Sequence, residues 1–156
     1  MQSKDLLFLT SSLFCTCLKI GYFKYMPGTL GSFAGLIIGI VIKNQLSLLL
    51  YISLLILIII AAIFAINIYQ SKVGKKDRSE IVIDEIIGQQ IPLLLFELTI
   101  SNIILSFILF RYFDIFKFFP ANYIDKHYSN SYGIILDDII AAIQASFLIY
   151  LINFVI

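Results

Sequence analysis

The chain has 156 residues, of which 60% are hydrophobic, 15% aromatic and only 13% charged, with a net charge of +1 and a mean hydropathy of +0.98. Soluble domains have about 45–50% apolar and about 25% charged residues, so this composition argues against a soluble protein and predicts a membrane protein. We expect one domain over residues 1–156 and no nucleic-acid partner.

The first 25 residues join a charged start to an apolar run, "MQSKDLLFLTSSLFCTC". No A-x-A-like cleavage site follows, and Lys19 comes soon after. We therefore expect residues 1–25 to remain as an amphipathic or interfacial helix ahead of a helical core over 26–156. Cys15 and Cys17 form a lone C-x-C in a chain with one histidine. This favours two small apolar residues on a helix over a zinc site.

Long uncharged runs predict the membrane helices. The run at 44–71 exceeds the ~20 apolar residues that cross a ~30 Å hydrocarbon core, and 139–156 is also long enough. The shorter runs at 32–42, 86–96 and 103–110 fit either tilted spans or helices sheltered by longer ones. Because open strand edges cannot face lipid, we predict an all-α, multi-pass membrane helical bundle.

The charges are distributed unevenly over this predicted bundle. With hairpin turns at 43–45 and 97–102, Lys43 is the only one of the 11 cationic residues on the far side. The positive-inside rule then makes the near side cytoplasmic. All of the 10 acidic residues except Glu97 also fall there, so the polar motifs gather at the predicted cytoplasmic face.

The stretch "MPGTLGS" is the first candidate for chemistry. Gly28 and Gly31 predict a tight turn, with the hydroxyls of Thr29 and Ser32 available and a helix beginning at about Ser32. Such a turn offers backbone N–H groups to an anion. An ordinary N-cap at the membrane surface is the simpler alternative, and this is not a Walker motif because G-K-[ST] is missing.

Two pairs of adjacent acids lie in or beside apolar runs. Asp84 and Glu85 begin one run, with Asp77 upstream, and Asp137 and Asp138 lie within "GIILDDIIAA". Acids favour helix starts, which is one explanation of the first pair. Carboxylates beside lipid are nevertheless expensive, and a divalent cation would offset that cost.

The stretch "FRYFDIFK" carries Arg111, Asp114 and Lys117, spaced three residues apart. This spacing places them along one side of a helix. They could form a salt-bridge ladder worth a few tenths of a kcal/mol. Alternatively, they could supply two phosphate-binding cations and a further metal-ligating or orienting carboxylate.

Together these motifs supply carboxylates, cations and an anion-binding turn, which are the groups that Mg²⁺-assisted phosphoryl chemistry needs. Two other classes of function stay open at this point. A small cation channel or transporter would spread its acids through the membrane depth. A non-catalytic membrane subunit would use its charges only to set topology.

The motifs "PGTLGS", "DRSEIVIDEIIG", "FRYFDIFK" and "GIILDDIIAA", in this order from Pro27 to Ala142, resemble the phosphatidylglycerophosphatase A family. The resemblance implies a Mg²⁺-dependent lipid phosphatase of the bacterial inner membrane, with its site facing the cytoplasm. Its substrate would be phosphatidylglycerophosphate and its product phosphatidylglycerol, a step of phospholipid biosynthesis. A homo-oligomer stays open. Here Lys117-Phe118-Phe119-Pro120 replaces the family's K-P-W-P.

The resemblance also implies roles for individual residues. Glu85 or Asp138 would be the general base, and Arg111 and Lys117 would hold the phosphate. Direct attack by water is favoured over an aspartyl-phosphate route. The further substrate-binding residues would be Gly28, Thr29, Gly31 and Ser32, and the Mg²⁺ ligands would come from Asp77, Asp84, Glu85, Asp114, Asp137 and Asp138.

Overall fold

The apolar runs form helices throughout the computed structural model, which describes residues 2–74 and 79–155. Over these residues there are seven α-helices, one short 3-10 helix at Ile20–Tyr22 and no strand, so the predicted all-α class is confirmed. The helices are α1 (Gln2–Cys15), α2 (Pro27–Gln45), α3 (Leu48–Val73), α4 (Ile83–Leu95), α5 (Ile100–Phe116), α6 (Ala121–His127) and α7 (Ser131–Val155).

Three helices, α2, α3 and α7, are long and apolar enough to cross a membrane. They have 19, 26 and 25 residues. At 1.5 Å per residue they extend over roughly 28 to 39 Å, close to or above the ~30 Å hydrocarbon core. The predicted multi-pass helical bundle therefore has at least these three candidate spans.

The helices follow the predicted up-and-down path. The Lys43 ammonium, near the end of α2, donates to carbonyls at the end of α4, so these two helices run in the same direction. Asn153 of α7 donates to Asn102 at the start of α5 over 3.0 Å, so these two helices are antiparallel. Asp84, Arg111 and Asp137 consequently lie at one end of the bundle, and Lys43 and Glu97 lie at the other.

Helix α4 is a short helix sheltered by the longer ones. It has 13 residues and most of them are buried, including Gln89 and Gln90. The Gln90 amide donates to Gly35 O over 2.9 Å and accepts from the Tyr51 hydroxyl over 2.8 Å. The apolar pattern left open whether this run was a tilted span or a sheltered helix, and the packing around it decides for the sheltered helix.

The glycines of α2 bring this helix close to α4. A Cβ at Gly31 would lie 2.9 Å from Val82 Cβ, and one at Gly35 would lie 3.0 Å from Ile86 Cα.

The prediction of a turn at 27–32 with a helix beginning at about Ser32 was wrong, because α2 already begins at Pro27. Proline suits the first helical position, where its fixed φ is helical and its missing N–H costs nothing.

Two further helix boundaries differ from the prediction. Helix α3 begins at Leu48 rather than in the run from 44, since α2 continues to Gln45. Helix α7 begins eight residues before the predicted 139–156 span, where the Asn130 side chain accepts from Gly133 N over 2.9 Å. Asparagine is a favoured N-cap because its side chain satisfies a free N–H at the helix start.

The N-terminal segment packs on the bundle. Phe8 of α1 stacks on Tyr69 of α3 with ring centroids 5.9 Å apart, and Val82 N donates to Cys15 O over 2.9 Å. Leu6 and Leu9 are exposed. The helix predicted within 1–25 is present, whereas its interfacial position and the division at residue 26 stay predictions.

Candidate active site

A polar cavity of about 280 Å³ lies at one end of the bundle, between the first turn of α4, the last turns of α5, helix α6 and the first turns of α7. Six carboxylates and two cations line it. If all were ionised, the net charge would be strongly negative, which would favour a bound cation. The charged lining residues are Asp84, Glu85, Arg111, Asp114, Lys117, Asp125, Asp137 and Asp138.

The first carboxylate pair lies in the first turn of α4. Asp84 is only 9% exposed, and the Glu85 carboxylate lies against the start of α2. A helix N-terminus favours negative charge, which explains why acids are tolerated in this turn. A Cβ on Gly28 would lie 2.2 Å from Glu85 Oε1, so the missing side chain at Gly28 provides the space that Glu85 occupies.

The second pair lies in the second turn of α7, within a membrane-spanning helix. Asp137 and Asp138 are only 5% and 4% exposed. Their neighbours on this helix include Ile135, Ala141 and Ala142, which are all buried. Removing two adjacent carboxylates from water is costly unless other groups partner them, so their partners decide what the pair does.

Asp84, Glu85 and Asp138 could together hold a metal ion. One carboxylate oxygen from each lies within 4.8 Å of those of the other two. Asp84 Oδ1, Glu85 Oε2 and Asp138 Oδ2 are buried and have no hydrogen-bond partner among the described residues. Hard oxygen donors of this kind suit Mg²⁺, so the three residues fit a divalent cation.

Arg111 is held on the α2 side of the cavity. Its Nη1 donates to Ser32 Oγ over 3.2 Å and forms a short ion pair with Asp114 Oδ2. Arg111 Nε is buried and has no partner in the described part of the chain. Asp114 is thus engaged by a cation, and its predicted role as a metal ligand stays a prediction.

Lys117 is held on the α7 side. Its Nζ donates to Asp125 Oδ1 over 2.5 Å and to Asp137 Oδ2 over 2.6 Å. Burial acts against the charge, but the hydrogen bonds and charges of the two carboxylates outweigh it and raise the pKa of Lys117 above its usual value. The predicted helical position was wrong, because α5 ends at Phe116 and Lys117 caps it in the left-handed conformation, with φ 44°.

Asp125 is a cavity residue that the sequence motifs did not single out. It lies on α6, four residues before Ser129, another residue of the cavity lining. The one available signal was its position as the sole acid between α5 and α7, in residues 117–130. That signal is weak, since an acid in a connecting segment is usually solvated.

The remaining predicted residues surround the cavity or fall outside the description. Gly28, Thr29, Gly31 and Ser32 lie in the first turns of α2, and none of them lines the cavity. Ser32 contacts it indirectly through Arg111, and its hydroxyl also donates to Gly28 O over 2.9 Å. Asp77 lies outside the described residues.

A comparison with family models and with curated proteins finds one matching family and several similar sequences. A family model described as Phosphatidylglycerophosphatase A matches residues 13–153. A Phosphatidylglycerophosphatase A of Haemophilus influenzae is 34% identical over 129 residues, which cover 82% of this chain and 79% of the relative. A protein of the same name from Escherichia coli K12 is 28% identical over 134 residues, covering 85% of this chain and 77% of the relative.

A third relative carries another name. A Bacteroides thetaiotaomicron protein, provisionally named a phosphatidylinositol-3-phosphatase, is 32% identical over 143 residues, which cover 87% of this chain and 89% of the relative. All three relatives are bacterial. No solved structure matches the chain significantly.

Proposed function

Because the chain belongs to the phosphatidylglycerophosphatase A family and is a phosphatase, we propose that it removes the terminal phosphate of phosphatidylglycerophosphate in phospholipid biosynthesis. The products are phosphatidylglycerol and inorganic phosphate. The observation that carries the proposal is the cavity in which Asp84, Glu85 and Asp138 lie with Arg111 and Lys117, at the end of membrane-spanning helices. The cavity supplies groups for phosphate chemistry, and the spanning helices would place it beside membrane lipids.

The proposal includes Mg²⁺ as cofactor, held by Asp84, Glu85 and Asp138. Their three unpartnered oxygens and their mutual distances support this choice. When bound, the ion supplies positive charge that offsets the carboxylates and polarises the phosphate. Asp114 and Asp137 are further candidate ligands because they line the same cavity, whereas Asp77 is a candidate on the family resemblance alone.

Arg111 and Lys117 bind the phosphate group in this proposal. Arg111 is fixed by Ser32 and Asp114, so its guanidinium is oriented before the substrate arrives. Lys117 stays protonated because Asp125 and Asp137 raise its pKa. Cations in fixed positions stabilise the charge that moves between phosphate oxygens in the transition state.

A carboxylate of Glu85 or Asp138 acts as the general base. It accepts a proton from the water that attacks phosphorus. The bond between phosphorus and the headgroup glycerol oxygen breaks, and that oxygen takes up a proton from solvent, to which the carboxyl group returns the one it accepted.

Phosphate release from the purified protein tests the activity. We expect release from phosphatidylglycerophosphate and much slower release from phosphatidylinositol 3-phosphate, the substrate named for one relative. A preference for phosphatidylinositol 3-phosphate, or no release from either lipid, would contradict the proposal.

The acids gather at one end of the bundle rather than along its depth. This distribution favours an enzyme over a channel.

Chelation tests the cofactor. Activity should be lost after treatment with a chelator and restored by Mg²⁺, because the excess of carboxylates would otherwise repel a phosphate monoester. Adding the chelator already saturated with Mg²⁺ controls for effects of the chelator itself. Undiminished turnover of thoroughly chelated protein would show that the metal proposal is wrong.

We also propose that the chain lies in the bacterial inner membrane with the cavity facing the cytoplasm. The distribution of cations supports this, since Lys43 is the one far-end cation in the described part of the chain. In a Cys15→Ala, Cys17→Ala background, an impermeant thiol reagent applied from outside should label Ser101→Cys and not Lys126→Cys. The reverse pattern would contradict the orientation.

A further inference from the structure

A second cavity, which is apolar, lies beside the polar one. It has a volume of about 620 Å³ and is formed by the segment before α6, by α6 itself and by the first two turns of α7. Its lining is aromatic and aliphatic, with tyrosine hydroxyls as the main polar groups. The lining residues are Phe119, Pro120, Tyr123, Ile124, Tyr128, Tyr132, Gly133 and Leu136. We call this cavity the tyrosine groove.

The tyrosine groove adjoins the polar cavity. Tyr128 and Gly133 line both. A Cβ on Gly133 would lie 1.8 Å from Tyr128 O, so the backbone after α6 lies directly on α7 at this point. The boundary between the carboxylate cavity and the groove is therefore only one short loop thick.

The position of the groove suits the surface of a bilayer. It lies at the start of α7, one of the three helices long enough to span. Tyr123, Tyr128 and Tyr132 are all exposed on it. Tyrosine is enriched at membrane–water interfaces, because its ring is apolar and its hydroxyl can stay hydrated.

We propose that the tyrosine groove binds the glycerol backbone and the first part of an acyl chain of the phospholipid whose phosphate enters the polar cavity. This inference rests on the proposed function and adds the site that recognises the lipid portion. A polar, cation-bearing cavity next to an apolar groove matches a molecule with a charged headgroup joined to hydrocarbon. A water-soluble phosphomonoester would need the polar cavity alone.

Filling the groove tests the proposal. Leu136→Trp adds bulk inside it, at a position 44% exposed. Leu57→Trp is the matched control, since Leu57 is 63% exposed on α3 and lines neither cavity. Each variant is assayed on dioleoyl phosphatidylglycerophosphate in detergent micelles and on the deacylated, water-soluble form of the same molecule.

We expect Leu136→Trp to lower kcat/KM on the lipid by about tenfold or more, and to change it less than about twofold on the deacylated substrate. Leu57→Trp should leave both unchanged. Undiminished turnover of the lipid by Leu136→Trp, or an equal loss on both substrates, would overturn the groove proposal. Absence of phosphate release from the lipid by the wild-type protein would instead overturn the proposed function, and the groove with it.

A measurement independent of turnover locates the acyl chain directly. A phosphatidylglycerophosphate analogue with a photoreactive diazirine near the carbonyl end of one acyl chain is bound to the wild-type protein and irradiated. Labelled peptides should map to residues 119–136, and Leu136→Trp should reduce that labelling. Labels spread evenly over the exposed faces of α3 and α7 would show that bulk lipid, not a specific site, covers the groove.

Discussion

The two ends of the helical bundle accommodate charged side chains in opposite ways. At the far end, Lys43 donates to the carbonyls of Leu93, over 2.7 Å, and Leu94, over 3.3 Å, and makes a short hydrogen bond with Phe96 O. These carbonyls lie at the end of α4, where a helix leaves its last acceptors free. The Lys43 charge is thus matched by the protein itself.

At the cavity end, the charges are not fully matched within the chain. Asp84, Glu85 and Asp138 lie close together, and each has a buried oxygen without a partner among the described residues. Like charges held together in a poorly hydrated place oppose folding. The difference indicates that the far end is organised for stability, whereas the cavity end is organised to receive a ligand.

The strongest test of this comparison removes one acid from each end. Asp138→Asn keeps the shape of the side chain but loses its charge, so phosphate release should fall at least ~100-fold, a loss of about 2.7 kcal/mol in transition-state stabilisation. Glu97→Gln, the matched change at the exposed far-end acid, should retain wild-type turnover. Initial rates of phosphate release from equal amounts of inserted protein measure both. Similar rates for the two variants would assign Asp138 a structural role.

A smaller loss of turnover is expected when Glu85 is displaced by a change at a neighbouring residue. In Gly28→Ala the new Cβ would meet Glu85 Oε1 at 2.2 Å and Arg111 Nη2 at 3.2 Å. The ends of flexible side chains can move, so the variant should fold, with turnover reduced about tenfold by their misplacement. Phosphate release and the thermal unfolding midpoint measure the two effects.

Gly39→Ala is the control for this variant. Its Cβ would meet Leu93 Cδ1 at 2.5 Å, on the same helix pair but away from the cavity. It should lower the thermal unfolding midpoint. The turnover of the folded protein should stay close to that of the wild type. If Gly28→Ala also loses mainly stability, the space at Gly28 serves helix packing rather than the site.

The smallest effect on turnover is expected at Lys43. Lys43→Met removes the donor to the α4 carbonyls and should lower the free energy of unfolding by roughly 1–3 kcal/mol. Turnover of the folded protein should change less than about twofold. Thermal unfolding in detergent measures the first quantity, with the exposed Lys126→Met as control. A large loss of turnover at unchanged stability would show that the far end contributes to catalysis.

Much of the fold was predictable because hydropathy and charge are local properties. The run that forms α3 is so apolar that it predicts a helix in a membrane or in a protein core. The uneven distribution of the cations predicts that the two ends of the bundle differ in charge. The up-and-down path of the helices was predictable because the polar residues near Lys43 and Glu97 interrupt the apolar runs and mark the turns. Boundaries were less predictable, because Pro27 and Asn130 act as helix starts within stretches that also resemble turns or loops.

By itself, the sequence determined that the protein is helical, apolar and rich in acids beside apolar runs, and its ordered motifs determined the family. Only the tertiary structure decided which charges meet. It brings carboxylate oxygens of Asp84, Glu85 and Asp138 close together, and it places Asp125 in hydrogen-bonding contact with Lys117. It also made α4 a sheltered helix rather than a span. These outcomes depend on contacts between residues far apart in the chain, such as Gly28 with Glu85, and no local pattern encodes which side chains such contacts bring together.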